Sequence, residues 1–243
     1  KPEWYLLSYQ KAMTASSSEE GREPSFAADE NIQTWWRAAG NQPGEWISMD
    51  LGEIKDVRAV QINFADDKID APLPGERQGE RYIDPSQHKT RWLLEASADG
   101  TNYFVLEDKS DAETNLPHDF VVKEEGVQIR YLKLTVFEVP YNQNPCISGL
   151  RVFGLGNGEK PSAPQYQAER IGTMDMRITI EPQTDAVGYN VLWGFAPDKL
   201  YHSCMTFTPE QNIGALVEDE MVYVRVDAFN ENGITEGTVR PLA

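Results

Sequence analysis

The chain has 243 residues, 40% hydrophobic and 25% charged, enough apolar content to bury one sizeable core or two smaller ones. Lys and Arg number 22 against 39 Asp and Glu, a formal net charge of -17, which repels phosphate backbones and anionic headgroups and argues against nucleic acid or membrane as a partner. No apolar run reaches the roughly 18 to 20 residues that cross a bilayer, and no Cys/His cluster has zinc spacing.

The N-terminus, Lys1-Pro2-Glu3-Trp4, has neither an initiator Met nor a signal-peptide profile and reads as a mature chain or an excised fragment. From there to about residue 155 the apolar residues recur at a period of two: Ile47, Met49, Leu51, then Val60, Ile62, Phe64, then Leu132, Leu134, Val136. That period predicts half-buried strands. Turn clusters at 39–44 and 99–102 separate them, and the whole reads as an antiparallel β-sandwich. Trp46 with Ile47, Met49 and Leu51 is expected to fill the sandwich core, and Asp50-Leu51-Gly52 to end that strand in a turn. The stretch from Asp66 to Thr90, rich in charge, Pro and Gly, is long for a loop in a compact domain, which marks it as functional or disordered.

Residues Gly154 to Pro164 (GLGNGEKPSAP) form the best domain boundary, with domains expected at 1–156 and 165–243 and a linker at 157–164. Beyond it Met176, Ile178, Ile180, then Tyr189, Val191, Trp193, then Val222, Val224, Val226, Ala228 alternate. These predict a second, smaller β-sandwich, so the fold class is all-β. The only two cysteines, Cys146 and Cys204, fall in different predicted domains and read as free thiols.

Six blocks in the first domain occur in the order expected of a discoidin domain: 11–16 (KAMTAS), 28–36 with Asp29, Asn31, Thr34 and Trp36, 45–52 (EWISMDLG), 94–100 (LEASADG), 130–134 (RYLKL) and 147–154 (ISGLRVFG). Over about 150 residues the chain thus resembles the F5/8 type C family, which includes family 32 carbohydrate-binding modules. The remainder resembles a fibronectin type III module, with Pro161 and Pro164 near the first strand and Gly188 to Trp193 as a central strand. In that family a Tyr six residues after a Leu makes the tyrosine corner; counted from Leu216, the position holds Val222, and Tyr223 and Phe229 are expected to face outward. The pair of modules is similar to the C-terminal region of secreted bacterial proteins whose N-terminal part is a family 43 glycoside hydrolase. That similarity implies an extracytoplasmic protein working on plant polysaccharide or other glycan.

The discoidin resemblance implies a structural Ca²⁺ held by the Phe26, Asn31 and Thr34 carbonyls, the Asp29 carboxylate and the Thr34 hydroxyl, with the Ser148 carbonyl beside them; Na⁺, water or an empty loop are the alternatives. Gly149 stands where that family has a Glu. It also implies a sugar site on loops at one end of the sandwich, where a flat apolar face meets a few fixed polar groups. Trp35 is the aromatic candidate, since Trp36 matches the family's core Trp and its neighbour points the other way. Arg37, Tyr82, His88, Tyr141, Asn142 and Asn144 sit in or beside the same loops. The other reading of each of these residues is packing under its own loop, as most loop aromatics do.

For catalysis there is no G-x-S-x-G, H-E-x-x-H or Walker-type motif. Asp66 and Asp67 read as a solvated acidic turn, and His118 as a hydrogen-bonding turn or core residue. Two functions are therefore expected: a non-catalytic glycan-binding accessory region, or a structural module that supports a missing N-terminal catalytic domain without affinity for sugar.

Overall fold

The computed structural model describes residues 4–69, 86–156 and 158–242. Two compact units divide the chain, Lys1–Leu155 and Gly156–Ala243; among the described residues both are built of antiparallel strands, with two short 3-10 turns, Pro24–Ala28 and Pro140–Asn142. Among the described residues no helix is long and apolar enough to cross a membrane.

The first unit contains β1 (Tyr5–Leu6), β2 (Ala12–Ala15), β3 (Trp36–Arg37), β4 (Glu45–Phe64), β5 (Arg91–Ser97), β6 (Phe104–Lys109), β7 (His118–Glu138) and β8 (Cys146–Leu155). They run in the order β1-β8-β4-β7-β5-β6, with β2 on β4 and β3 on β8. Between Asp50 and Lys55 the β4/β7 pairing breaks register. Before the break β4 pairs with β2 and the last third of β7; after it, with β8 and the start of β7. The sheet thereby folds over on itself as a sandwich.

Alternation decides which side chains lie between the layers. Ile47, Met49, Leu51 and Ile62 of β4 are buried with Trp92 and Leu94 of β5, Leu132 and Leu134 of β7 and Leu150 and Val152 of β8. Trp36 is wholly buried, and its Nε1 donates to the Ser17 carbonyl at 3.0 Å and to Ser18 Oγ at 3.1 Å, as a buried indole requires. Two local expectations fail. Gly52 does not end the strand: at φ +88, with its N–H on Asp50 Oδ1 at 2.8 Å, it bends β4 and pairing resumes at Lys55. Trp46, expected in the core beside Ile47, lies half-buried on the outer face, with Lys133 Nζ 5.2 Å from its ring, because adjacent strand residues point to opposite sides.

The second unit has β9 (Tyr166–Arg170), β10 (Met176–Ile180), β11 (Gly188–Gly194), β12 (His202–Thr206), β13 (Glu210–Ile213), β14 (Tyr223–Asn230), β15 (Gly233–Thr235) and β16 (Arg240–Pro241). One sheet is β13-β10-β9; the other is β12-β11-β14-β15, with β16 also on β14. Met176, Ile178, Val191, Val224 and Val226 fill the space between them. Val222 is buried and Tyr223 half-buried, while Phe229, expected outward, is buried and edge-on to Phe207 at 6.0 Å. Gly188 makes this possible: a Cβ there would sit 2.7 Å from the Phe229 ring. A different tyrosine ties the layers together. Tyr166 of β9, 3% exposed, places its hydroxyl 2.7 Å from the Val224 carbonyl and 2.6 Å from that of Thr238. Both cysteines are free, and burial pushes the Cys146 thiol up to about 12.

Candidate functional site

β3 pairs with the start of β8, Trp36 opposite Ile147 and Arg37 opposite Cys146, and the chain leaving β4 is held there by Ala65 N–H on the Cys146 carbonyl at 3.0 Å. This gathers the segments around Trp35, Asp66 and Tyr141 at one end of the first sandwich.

Asp67 is the hub of that end. Its Oδ2 accepts from Trp35 Nε1 at 3.0 Å and lies 3.5 Å from Arg22 Nε and 4.0 Å from Arg37 Nε. The Arg22 guanidinium covers a face of Trp35, 3.9 Å from the ring centroid. Arg37 is buried and also pairs with Glu19, which Lys68 engages too. Trp35 and Arg37 thus brace loops against one another. The reading of Asp66 and Asp67 as a solvated acidic turn fails for Asp67, whose side chain is 15% exposed and ion-paired; Asp66 is exposed.

Gln143, which sequence reasoning missed, joins two of these loops. It is 7% exposed; its Nε2 donates to Asp66 Oδ1 at 2.7 Å and to the Pro140 carbonyl at 3.2 Å, and its Oε1 accepts the Asp67 N–H at 3.2 Å. No local pattern marks it, because its partners lie 76 and 77 residues away in sequence. Tyr141 and Asn142 both adopt left-handed backbone, φ 60 and 50, uncommon for residues other than glycine and a mark of functional loops when it occurs. The Tyr141 ring lies against His88, centroids 4.1 Å apart.

Two recesses flank the Pro140–Asn142 turn and share Val139 and Gln143. One, about 250 Å³, is walled by Asp66, Thr90, Asn115, Tyr141 and Gln143. The other, about 440 Å³, is walled by Asn41, Gln42, Glu138, Asn142 and Gln143. Asn142 is exposed, and its backbone carbonyl accepts from Asn41 Nδ2 at 3.0 Å. Asn144 is a strut, its Nδ2 on the Ala38 carbonyl at 2.8 Å. The structure therefore brings together Trp35, Arg37, His88, Tyr141, Asn142 and Asn144, and of these Tyr141 and Asn142 wall the two recesses. Tyr82 lies outside the described residues. Asp66 is held by an amide and Asp67 by cations, and His118 contacts Asn63 Oδ1 at 3.1 Å.

The residues expected to hold metal sit in and after the turn Pro24–Ala28. Asp29 Oδ1 accepts the Asn31 N–H at 2.9 Å and its Oδ2 the Thr34 hydroxyl at 2.6 Å; the Asn31 carbonyl accepts the Thr34 N–H at 3.1 Å. Phe26 is half-buried in the turn, and Ser148 Oγ contacts the Asn63 carbonyl at 3.3 Å. Glu30, at φ 58 with its side chain 8% exposed, turns to Arg151, which binds it through Nε at 2.9 Å and Nη2 at 2.8 Å. A Cβ on Gly149 would meet Asn63 Nδ2 at 2.9 Å, so the missing Glu has no room there without a shift. The donor set here is one carboxylate, Asp29, with backbone carbonyls and the Thr34 hydroxyl, while the neighbouring acid, Glu30, is bound to Arg151.

Comparison with solved structures finds similarity over about three fifths of the chain. Chitosan-binding module 1 from a chitosanase/glucanase of Paenibacillus sp. IK-5 is 19% identical, covering 62% of this chain and 99% of that one, with a TM-score of 0.47. A Clostridium perfringens module, CpGH89CBM32-4, solved with GlcNAc-α-1,4-galactose, is 14% identical over 63% of this chain and 96% of that one, TM-score 0.49. The family 32 module of C. perfringens NanJ, solved with galactose, is 18% identical over 62% and 98%, TM-score 0.48. Comparison with curated proteins found no match. The model of the F5/8 type C domain family matches residues 12–73, the segment that runs from β2 through β3 and β4 and carries Trp35, Asp66 and Asp67.

Proposed function

We propose that this chain is a non-catalytic carbohydrate-binding accessory region of a secreted bacterial glycoside hydrolase, holding glycan at the loop end of the first unit. In this reading the second unit is a fibronectin type III-like spacer, and an N-terminal catalytic domain of the same chain is the partner. The observation that carries it is the pair of recesses around Pro140–Asn142, where an aromatic ring and proline faces adjoin amides and a hydroxyl. A pyranose offers complementary surfaces, C–H faces for the former and hydroxyls for the latter. The segment matching the F5/8 type C family supports the same reading.

Titration of the whole chain with a panel of neutral, amino and acidic oligosaccharides, followed by NMR or calorimetry, tests it. Saturable binding is expected with Kd in the micromolar to millimolar range, about -4 to -8 kcal/mol. Asn142→Gly keeps a residue at ease with φ 50 while removing the side chain. It is expected to weaken binding about fivefold without moving the unfolding midpoint. Silence across the panel defeats the proposal and favours a structural module, for which exposed Ile171, Met174, Val217 and Met221 on the second unit would be the docking residues.

The loop at Asp29 closes without calcium in this proposal, and the Glu30–Arg151 pair ties it to β8. Calcium or chelator is expected to shift the melting temperature by less than about 1 °C. Arg151→Met is expected to cost about 2 kcal/mol, since it leaves a largely buried carboxylate unpaired. A calcium-dependent rise of several degrees in calorimetry would reverse this assignment.

A further inference from the structure

We infer that the Tyr141 recess selects sugars bearing a positive charge, 2-amino sugars with a free amine, over their neutral or acidic counterparts; the inference rests on the glycan-binding reading above. It starts from the balance of charge at the loop end. Glu19 is engaged by Arg37 and Lys68, and Asp67 by Arg22 and Arg37. Glu113 is engaged by Lys89 at 2.5 Å and Arg91 at 2.7 Å, and Glu138 by Arg91 at 3.1 Å. Asp66 differs. Its Oδ1 accepts from the neutral Gln143 amide, and among the described residues neither oxygen meets a cation.

Asp66 is exposed, walls the 250 Å³ recess, and shares that wall with no Lys or Arg among the described residues. Gln143 fixes the carboxylate, being itself held by the Asp67 N–H and the Pro140 carbonyl. Across the recess, Thr90 Oγ1 donates to Asn115 Oδ1 at 2.7 Å, which leaves the Asn115 amide to donate to a sugar hydroxyl. An ammonium group placed here gains a charge-assisted hydrogen bond. A uronate meets like charge, both from Asp66 and from a chain of net charge -17.

The test titrates the whole chain with the glucosamine trimer, the N-acetylglucosamine trimer and trigalacturonate at pH 6, in low and high salt. The free-amine trimer is expected to bind about tenfold tighter than the acetylated one, with trigalacturonate weakest and the advantage shrinking in salt. Asp66→Asn, which keeps an acceptor for Gln143 Nε2 and removes the charge, is expected to bring the two glucosamine ligands within about twofold of each other. Equal affinities in the wild type, a preference for the uronate, or a tenfold preference that survives Asp66→Asn would overturn the inference while sugar binding itself stands. Failure of all three ligands, together with the neutral panel, would take the glycan-binding reading down with it.

Discussion

Replacing Asp67 by Ala is expected to lower the stability of the first unit by about 2 kcal/mol and to weaken glycan binding at least tenfold. The side chain is largely shielded, and its loss strips Trp35 Nε1 of an acceptor and Arg37 of one of its two acidic partners. Removing one member of a fully buried pair costs about 3 to 5 kcal/mol; residual exposure and the surviving Glu19 reduce that here. The binding loss has a separate origin. Asp67 N–H, Gln143 and Asp66 form one chain of contacts, so freeing the 65–68 segment frees the wall of the recess. Asp67→Asn, which keeps an acceptor for the indole, is expected to cost about half as much. Urea unfolding followed by tryptophan fluorescence reads the stability. A change under about 0.5 kcal/mol with unaltered binding would return Asp67 to the status of an ordinary surface acid.

The second large effect falls on the other unit. Burial pushes the Tyr166 phenol up to about 12 from its ordinary 10. Between those values the unfolded chain has lost the proton while the folded one keeps it. Folding stability from this group is therefore complete below about pH 10 and declines by about 1.4 kcal/mol per unit as pH rises toward 12. Tyr166→Phe leaves the Val224 and Thr238 carbonyls without the hydroxyl they share and is expected to cost about 2 kcal/mol at neutral pH. It should also flatten the alkaline decline and remove one late-titrating phenolate from the ultraviolet titration. Calorimetry of the whole chain resolves the transition concerned. Identical alkaline profiles for wild type and Tyr166→Phe would show that the hydroxyl is not confined as described.

Much of this architecture is local enough to read along the chain. Period-two runs through Ile47, Leu132 and Val224 put the right residues between the layers, and adjacency alone set Trp35 apart from buried Trp36. What stayed hidden depends on distance. Gln143 acquires its role from Asp66 and Asp67, 77 and 76 residues away, and no pattern near residue 143 contains that information. Asp67 looked solvated because its cations, Arg22 and Arg37, arrive from another loop. Gly52 misled for a different reason: a left-handed residue serves a bulge as well as a turn, and only the neighbouring strands decide which. Phe229 keeps its alternation and stays out of the interlayer cluster, yet is buried because Gly188 leaves a space for the ring beside Phe207.

β4 and β7, the two longest strands, each belong to both layers of the first sandwich. Tension borne by either strand is therefore shared between both layers.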